Sequence, residues 1–289
     1  METGFNLSLH FLGVGNASAL ELGSSSCLLK RNGDPLLLID CGFDTVARYR
    51  EIQQGRLPRH IFITHAHLDH IGGLENLFYR AYFTEGYAGR IKLYVPVDLV
   101  ATLHRRLAGP PMPLAEGGAN FWDSFHLIPV SDHFWHENLL FRVVPVRHHD
   151  PGSSYGLSLE GVFLYTGDTR PIPDIITQFA CRGETIFHDC GIQASPSHTG
   201  VGELGMHYTE EQRLRMVLYH YESAAAGDQL ERLGYRVARC GQRFHVRGAF
   251  HEPRPAYTSL SWPTGCGPGS TRGRQTGCGA GKGNLTARR

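Results

Sequence analysis

The sequence has no uninterrupted apolar run of the roughly 18 residues that a helix needs to cross a bilayer, so it does not predict an integral membrane protein. The first residues lack the basic segment followed by an apolar one that is typical of a secretory signal. The seven cysteines are odd in number and include no Cys-x-x-Cys pair, which disfavours a disulfide framework and a thiolate zinc site. Together these absences favour a cytoplasmic protein with reduced thiols and no membrane partner.

The overall charge is close to zero, with 28 basic and 27 acidic residues, but it is unevenly distributed. Residues 246–289 hold seven basic residues, one acidic residue and nine glycines, and almost no apolar periodicity. Such a segment cannot bury enough surface to offset its ordering entropy. We therefore expect a domain over residues 1–245 and a Gly-rich basic tail, disordered and either merely solvated or an arm for nucleic acid, over 246–289.

Runs rich in β-branched, leucine and aromatic residues predict strands in the first part of the chain, and apolar periodicity predicts helices between them. The strands are expected at 5–13, 35–41, 60–65, 90–96, 139–147, 155–159, 162–166, 185–188 and 236–239. The helices are expected at 68–79, 97–107 and 209–219, the last beginning with a capping box from Thr209 to Gln212. Sheets with interspersed helices indicate a layered α/β domain.

Histidine is the abundant residue that carries chemistry, with 17 copies, and it clusters in residues 62–73, which read FITHAHLDHIGG. In an extended segment, the side chains of residues two positions apart project to the same side, so His65 and His67 can hold one ion together. Asp69 and His70, where the chain turns into a helix, can face a second ion. Neutral imidazole and carboxylate are ligands that Zn²⁺ takes in catalytic sites, which leave a position open for water.

The pattern His-x-His-x-Asp-His after a strand resembles the metallo-β-lactamase superfamily. That resemblance implies a four-layer αββα sandwich with a metal site at one edge of its sheets, and three further ligands in chain order. His148 follows a strand and competes with its neighbour His149, while Asp168 ends a strand in the run Thr-Gly-Asp-Thr. The last is a histidine late in the domain, and His220 fits.

By that resemblance, two divalent ions are held by seven residues, with zinc expected first and manganese second. One ion takes His65, His67 and His148, the other takes Asp69, His70 and His220, and Asp168 bridges them. The resemblance implies a hydrolase in which a hydroxide between the ions attacks the substrate, since metal binding brings the water pKa near neutrality. Asp69 would also orient that hydroxide.

Two features are similar to the ribonuclease Z-like branch of the superfamily: the opening segments, residues 11–17, 24–26 and 36–42, and a later pair of residues. The pair is Asp189, in Phe-His-Asp-Cys, and His198, in Pro-Ser-His-Thr, and the resemblance implies that they assist the leaving group. Asp189 stands where that branch has glutamate, and its side chain is one methylene shorter.

The chain departs from the tRNA-processing members because nineteen residues, 149–167, separate His148 from Asp168, too few for a tRNA-binding arm. Residues 1–245 hold 21 basic and 26 acidic residues, and this excess of negative charge disfavours binding of a polyanion. We therefore expect a metal-dependent phosphodiesterase of small substrates, with RNA a doubtful partner and a homodimer left open. The alternatives are hydrolysis of another ester or a lactone at the same site, and a non-catalytic metal-binding relative.

A serine hydrolase is a weaker alternative. Residues 152–156 satisfy Gly-x-Ser-x-Gly, but that nucleophile needs a strand before it and a helix after it. The residues that follow indicate strand and turn instead.

Overall fold

Two seven-stranded sheets form the centre of the protein, in a computed structural model that describes residues 6–109 and 114–246. The first sheet has the order β14-β1-β2-β3-β4-β5-β6, and its strands are β1 Leu7–Gly13, β2 Ser26–Arg31, β3 Asp34–Ile39, β4 His60–Phe62, β5 Ile91–Pro96, β6 Phe125–Val130 and β14 Arg243–Val246. The second has the order β13-β12-β11-β10-β9-β8-β7, with β7 His133–His136, β8 Leu139–Pro145, β9 Tyr155–Leu159, β10 Phe163–Tyr165, β11 Thr185–Asp189, β12 Met216–Tyr219 and β13 Arg236–Val237.

Eight α-helices lie in the described part of the chain, in the connections between strands. They are α1 Thr45–Ile52, α2 Leu68–Ile71, α3 Gly73–Tyr82, α4 Val100–Leu107, α5 Pro173–Phe179, α6 Val201–His207, α7 Glu210–Leu214 and α8 Ala224–Arg232. Short 3₁₀ turns occur at Leu20–Leu22, Val97–Leu99 and Phe121–Ser124. The two sheets with their helices confirm the predicted αββα sandwich. Among the described residues, no helix has both the length and the apolarity needed to cross a membrane.

The core lies between the sheets, where aromatic side chains from both meet. Phe11 of β1 is fully buried, and its ring centroid lies 5.5 Å from that of Phe187 in β11 and 5.7 Å from that of Tyr219 in β12. Burying such rings stabilises each by roughly 1.5–3 kcal/mol, so this contact holds the sheets face to face.

The predicted helix over 209–219 is correct only in its first half. Its capping box is present, since Thr209 accepts from the backbone of Gln212 and the Gln212 side chain accepts from Thr209 N–H. The helix ends at Leu214, however, and Met216–Tyr219 is a strand that runs parallel to β11. Its four residues are all buried, and a short apolar run of this kind fits a buried strand as well as a helix.

The last strand of the described chain, β14, was not predicted. It returns to the first sheet and pairs antiparallel with β1, with Val246 opposite Leu7. Val246 is buried, so the sheet extends one residue beyond the domain boundary expected at 245. The rest of the predicted tail, 247–289, lies outside the described residues.

Candidate metal centre

All nine predicted site residues come together at one edge of the sandwich, because the strands that precede them end there. His65 follows β4, His148 follows β8, Asp168 follows β10 and His220 follows β12. The other five are His67, Asp69 and His70 at the start of α2, Asp189 at the end of β11, and His198 in the loop beyond it.

Their ligand atoms form three overlapping groups, each compact enough to hold an ion. In the first, the ligand atoms of four residues lie within 4.8 Å of one another: His65, His67, His148 and Asp168. The second has the same property and is made of Asp69, His70, Asp168 and His220. Asp168 belongs to both of these groups, as a bridging carboxylate would. The third group, Asp189, His198 and His220, shares His220 with the second.

The histidine rings are held by outward contacts that leave one nitrogen facing the centre. His148 bonds the carbonyl of Ser197 through Nδ1 at 2.8 Å, and His70 bonds Asp40 Oδ2 through Nδ1 at 2.8 Å. His65 contacts Thr64 Oγ1 through Nδ1 at 3.1 Å. Such outer contacts fix the ring orientation and tautomer of metal-binding histidines.

Unpartnered atoms at the centre test whether a metal fits there. Among the described residues, the buried Nε2 atoms of His65, His70 and His220 and Oδ1 of Asp168 have no hydrogen-bond partner. His67 Nδ1 and His148 Nε2 face each other at 3.3 Å. Buried polar groups are rarely left unpaired, and these nitrogen and carboxylate donors are the set that divalent zinc takes. The residues therefore fit two divalent cations.

The pKa values of the histidines at the centre are shifted by burial and by the neighbouring carboxylates. Burial keeps the pKa of His65 well below its ordinary value, so its ring is neutral and able to bind a metal. Burial alone would lower the pKa of His220, but Asp168 and Asp189 raise it to about 10. Two carboxylates thus place negative charge beside this ring, which a bound cation would balance.

Asp189 reaches the histidine that the sequence paired with it. Its carboxylate is fully buried, and Oδ2 lies 2.8 Å from Nδ1 of His198. Oδ1 lies 3.3 Å from Nδ1 of His220, and Thr169 N–H donates to Oδ2 at 2.9 Å. Burial lowers the pKa of His198, but the hydrogen bond to Asp189 outweighs it and raises that pKa above its ordinary value. Asp189 therefore holds His198 by a hydrogen bond and places a negative charge beside His220.

The structure distinguishes His148 from His149. His148 is 2% exposed and lies in the first group, whereas His149 is exposed and contacts the rings of His67 and His148 from outside. This geometry favours His148 as the ligand.

Asp40 is a site residue that the sequence analysis did not identify. It is fully buried at the end of β3, accepts from Thr64 N–H at 2.8 Å, and anchors His70. The one signal in the sequence is a carboxylate placed directly after an apolar strand, which does not reveal its partner.

A cavity of about 480 Å³ opens over the centre. It is lined by five of the site residues, His67, Asp69, Asp168, His198 and His220, and by residues of the loops after β1, β11 and β12. A larger cavity of about 640 Å³ contains none of these residues, whereas one of about 220 Å³ is lined by His65, His67 and His149 among others. The cavity that contains His198 is therefore the larger of the two that adjoin the centre.

Comparison with known proteins identifies relatives along most of the chain. The sequence profile of one family, anti-Pycsar protein Apyc1, matches residues 7–244. An anti-Pycsar protein Apyc1 from Paenibacillus xerothermodurans is 31% identical over 231 residues, which cover 75% of this chain and 88% of the relative. One from Bacillus phage BSP38 is 28% identical over 264 residues, which cover 83% of this chain and 96% of the relative.

Solved structures with the same fold are more distant in sequence. A diphosphatase from the PhnP family has a TM-score of 0.65 at 18% identity, covering 82% of this chain and 97% of its own. Human short-form tRNase Z has a TM-score of 0.57 at 20% identity, and the match covers 82% of this chain and 98% of the tRNase Z chain. These likenesses confirm the metallo-β-lactamase fold. The family that matches is one that the sequence analysis did not name, and the likeness to tRNase Z is one of fold.

Proposed function

The chain belongs to the family of anti-Pycsar protein Apyc1, and from that premise we propose that it is a dinuclear metal-dependent phosphodiesterase of small substrates, with 3′,5′-cyclic nucleotides as the substrate class. The two ligand groups are proposed to hold two zinc ions, with manganese as the alternative. The proposal keeps the predicted reaction class and the small substrate that the sequence analysis favours over tRNA.

One observation carries this proposal: two potential metal groups share Asp168 and open onto one cavity that also contains His198. Two ions side by side suit the transfer of a phosphoryl group, because they can stabilise both the attacking and the departing oxygen. When bound, the ions would supply that Lewis acidity and a water of lowered pKa.

The chain's own residues would position the substrate and move a proton. Asp69 lies at the floor of the cavity, with Oδ2 3.5 Å from Nε2 of His70 and 3.7 Å from Nε2 of His220, and is proposed to orient the attacking water. His198, held by Asp189, presents its other ring nitrogen and is proposed to protonate the leaving oxygen. Its raised pKa keeps that proton available near neutrality.

The connection between His148 and Asp168 supports a small substrate. It contains β9 and β10, which pair antiparallel as a hairpin, and so leaves no length for a protruding arm. The cavity of about 480 Å³ is in the range of pockets for small molecules.

A side-by-side assay of the full chain tests this proposal. The substrates are bis-p-nitrophenyl phosphate, a 3′,5′-cyclic nucleotide, a lactone and a 3′-extended tRNA, each with Zn²⁺ and with Mn²⁺. We expect hydrolysis of the first two and their loss after chelation. Turnover of the lactone alone would favour the alternative ester hydrolase, and full metal content without any turnover would favour a non-catalytic relative.

A further inference from the structure

The cavity wall also includes five residues, on three loops, that the mechanism above does not use. They are Asn16 and Ser18 after β1, Gln193 and Ser195 after β11, and Glu222 after β12. Two of the loops are tied together, since Asn16 N–H donates to the carbonyl of Tyr221 at 3.3 Å. A substrate that fills the cavity contacts this wall as well as the metal groups.

Glu222 is the charged residue among these five. Each of its carboxylate oxygens lies 3.4 Å from Ile192 N–H, a long contact that satisfies little of the capacity of a carboxylate, which has about four acceptor sites. A Cβ at Gly191 would lie 3.2 Å from Glu222 Oε2, so the glycine lets the carboxylate approach the backbone there. The acceptor sites that remain are available to a ligand.

No lysine or arginine among the described residues lines this cavity. Apart from the metal groups, the polar side chains of the wall are one carboxylate and several uncharged groups. The wall therefore offers no positive charge to a substrate that carries a phosphate beyond the reacting one. The Gln193 side chain makes no hydrogen bond with another described residue, while Asn16 Oδ1 accepts from Ser18 N–H and Ser18 Oγ. A carboxylate beside an anionic substrate is unfavourable unless it accepts hydrogen bonds from that substrate.

We propose that Glu222 is a specificity-determining residue that accepts a hydrogen bond from an N–H or O–H donor on the uncharged, nucleoside part of the substrate. The inference rests on the proposed function, because it gives a role to another residue that lines the same cavity. The shared chemistry is a donor that bonds a carboxylate, and either the ribose 2′-hydroxyl or a base N–H can supply it.

The test compares Glu222→Ala and Glu222→Gln with the wild type on a 3′,5′-cyclic nucleotide and on bis-p-nitrophenyl phosphate, which has no N–H or O–H donor. For Glu222→Ala we expect KM for the cyclic nucleotide to rise about tenfold or more, as for loss of a hydrogen bond to a charged group. We expect kcat to stay within about threefold, and both constants for bis-p-nitrophenyl phosphate to stay unchanged. Glu222→Gln, which keeps an acceptor oxygen, should lose less. The exposed Glu211→Gln, on α7, controls for the lost charge and should match the wild type.

A 2′-deoxy cyclic nucleotide distinguishes the two donors. If the penalty of Glu222→Ala disappears with it, the donor is the 2′-hydroxyl; if the penalty persists, the donor is on the base. Either result supports the inference. An unchanged KM for both cyclic nucleotides, or an equal loss on bis-p-nitrophenyl phosphate, would overturn it while leaving the proposed function intact. If the wild type hydrolyses neither phosphodiester with metal bound, the proposed function fails and the inference fails with it.

Discussion

Asp189 holds His198 through a 2.8 Å contact between Oδ2 and Nδ1, although aspartate is one methylene shorter than the glutamate that the ribonuclease Z-like resemblance implies. The shorter side chain suffices because Asp189 is fully buried at the end of β11, and the loop that follows brings His198 back to it. The same carboxylate reaches His220, so one residue links the proposed proton donor to a proposed metal ligand.

His198→Ala should slow hydrolysis of a cyclic nucleotide by roughly 100- to 10,000-fold while metal content stays unchanged, since the variant removes the proposed general acid and no member of the two groups that share Asp168. Bis-p-nitrophenyl phosphate should be affected far less, because p-nitrophenolate leaves readily without a proton. Steady-state kinetics on both substrates and metal analysis check this. Loss of metal, or an equal loss on both substrates, would assign His198 a different role.

His148→Ala should lower metal content and abolish activity, because His148 lies in the first ligand group, and His67→Ala should do the same. His149→Ala is the matched control: its ring is exposed beside the group and should leave metal content unchanged. Metal analysis of the purified variants checks the pair. The reverse pattern would make His149 the ligand.

The pKa of His10 predicts acid sensitivity at a distance from the metal centre. His10 is 3% exposed, and burial together with Arg243 and Lys30 lowers its pKa from 6.5 to about 4. The unfolded chain binds this proton at higher pH than the folded chain does. Its contribution to stability is therefore complete above pH 6.5 and falls as the pH drops towards 4, by at most about 3 kcal/mol.

Urea unfolding of the wild type and of His10→Gln between pH 4 and 7 measures this contribution. The wild type should lose stability more steeply than the variant below pH 6.5. Since acid affects the metal ligands equally in both proteins, the difference between them isolates His10. Parallel curves would contradict the prediction.

The tail is predicted to be dispensable for folding and for hydrolysis of small substrates. Because Val246 pairs with Leu7, a chain ending after Val246 keeps the whole first sheet, whereas one ending after Gln242 loses β14. The first should unfold and turn over bis-p-nitrophenyl phosphate as the full chain does, and the second should be clearly less stable. Early unfolding of the first chain would show that the tail packs on the domain. Weaker RNA binding with a flatter salt dependence would identify an RNA-binding arm.

The candidate site could be predicted from the sequence because its residues come in short motifs at strand ends. His65, His67, Asp69 and His70 lie within six residues, and Asp168 marks the end of a strand. The contacts that hold these residues were not predictable. Asp40 lies thirty positions before His70 in the chain, and only the pairing of β3 with β4 places them together.

The fold class and most strands could be predicted for a similar reason, while some elements could not. The strands β2, β6, β7 and β14 were not predicted. Of these, β14 is short and reads as polar, since Arg243 and His245 alternate with Phe244 and Val246. It becomes a strand because it pairs with the backbone of β1 at the edge of the first sheet. The run Met216–Tyr219 was assigned to a helix because periodicity cannot separate a short buried strand from a helix turn.

The measurement that most directly tests the central proposal is a titration of the metal-free protein with Zn²⁺, and in parallel with Mn²⁺, while hydrolysis of a 3′,5′-cyclic nucleotide is followed. Two overlapping ligand groups that share Asp168 predict no activity without metal and a rise that is complete at two ions per chain. Asp168→Ala should bind less metal and stay inactive throughout. Full activity in the metal-free protein, or no hydrolysis after two ions are bound, would contradict the account.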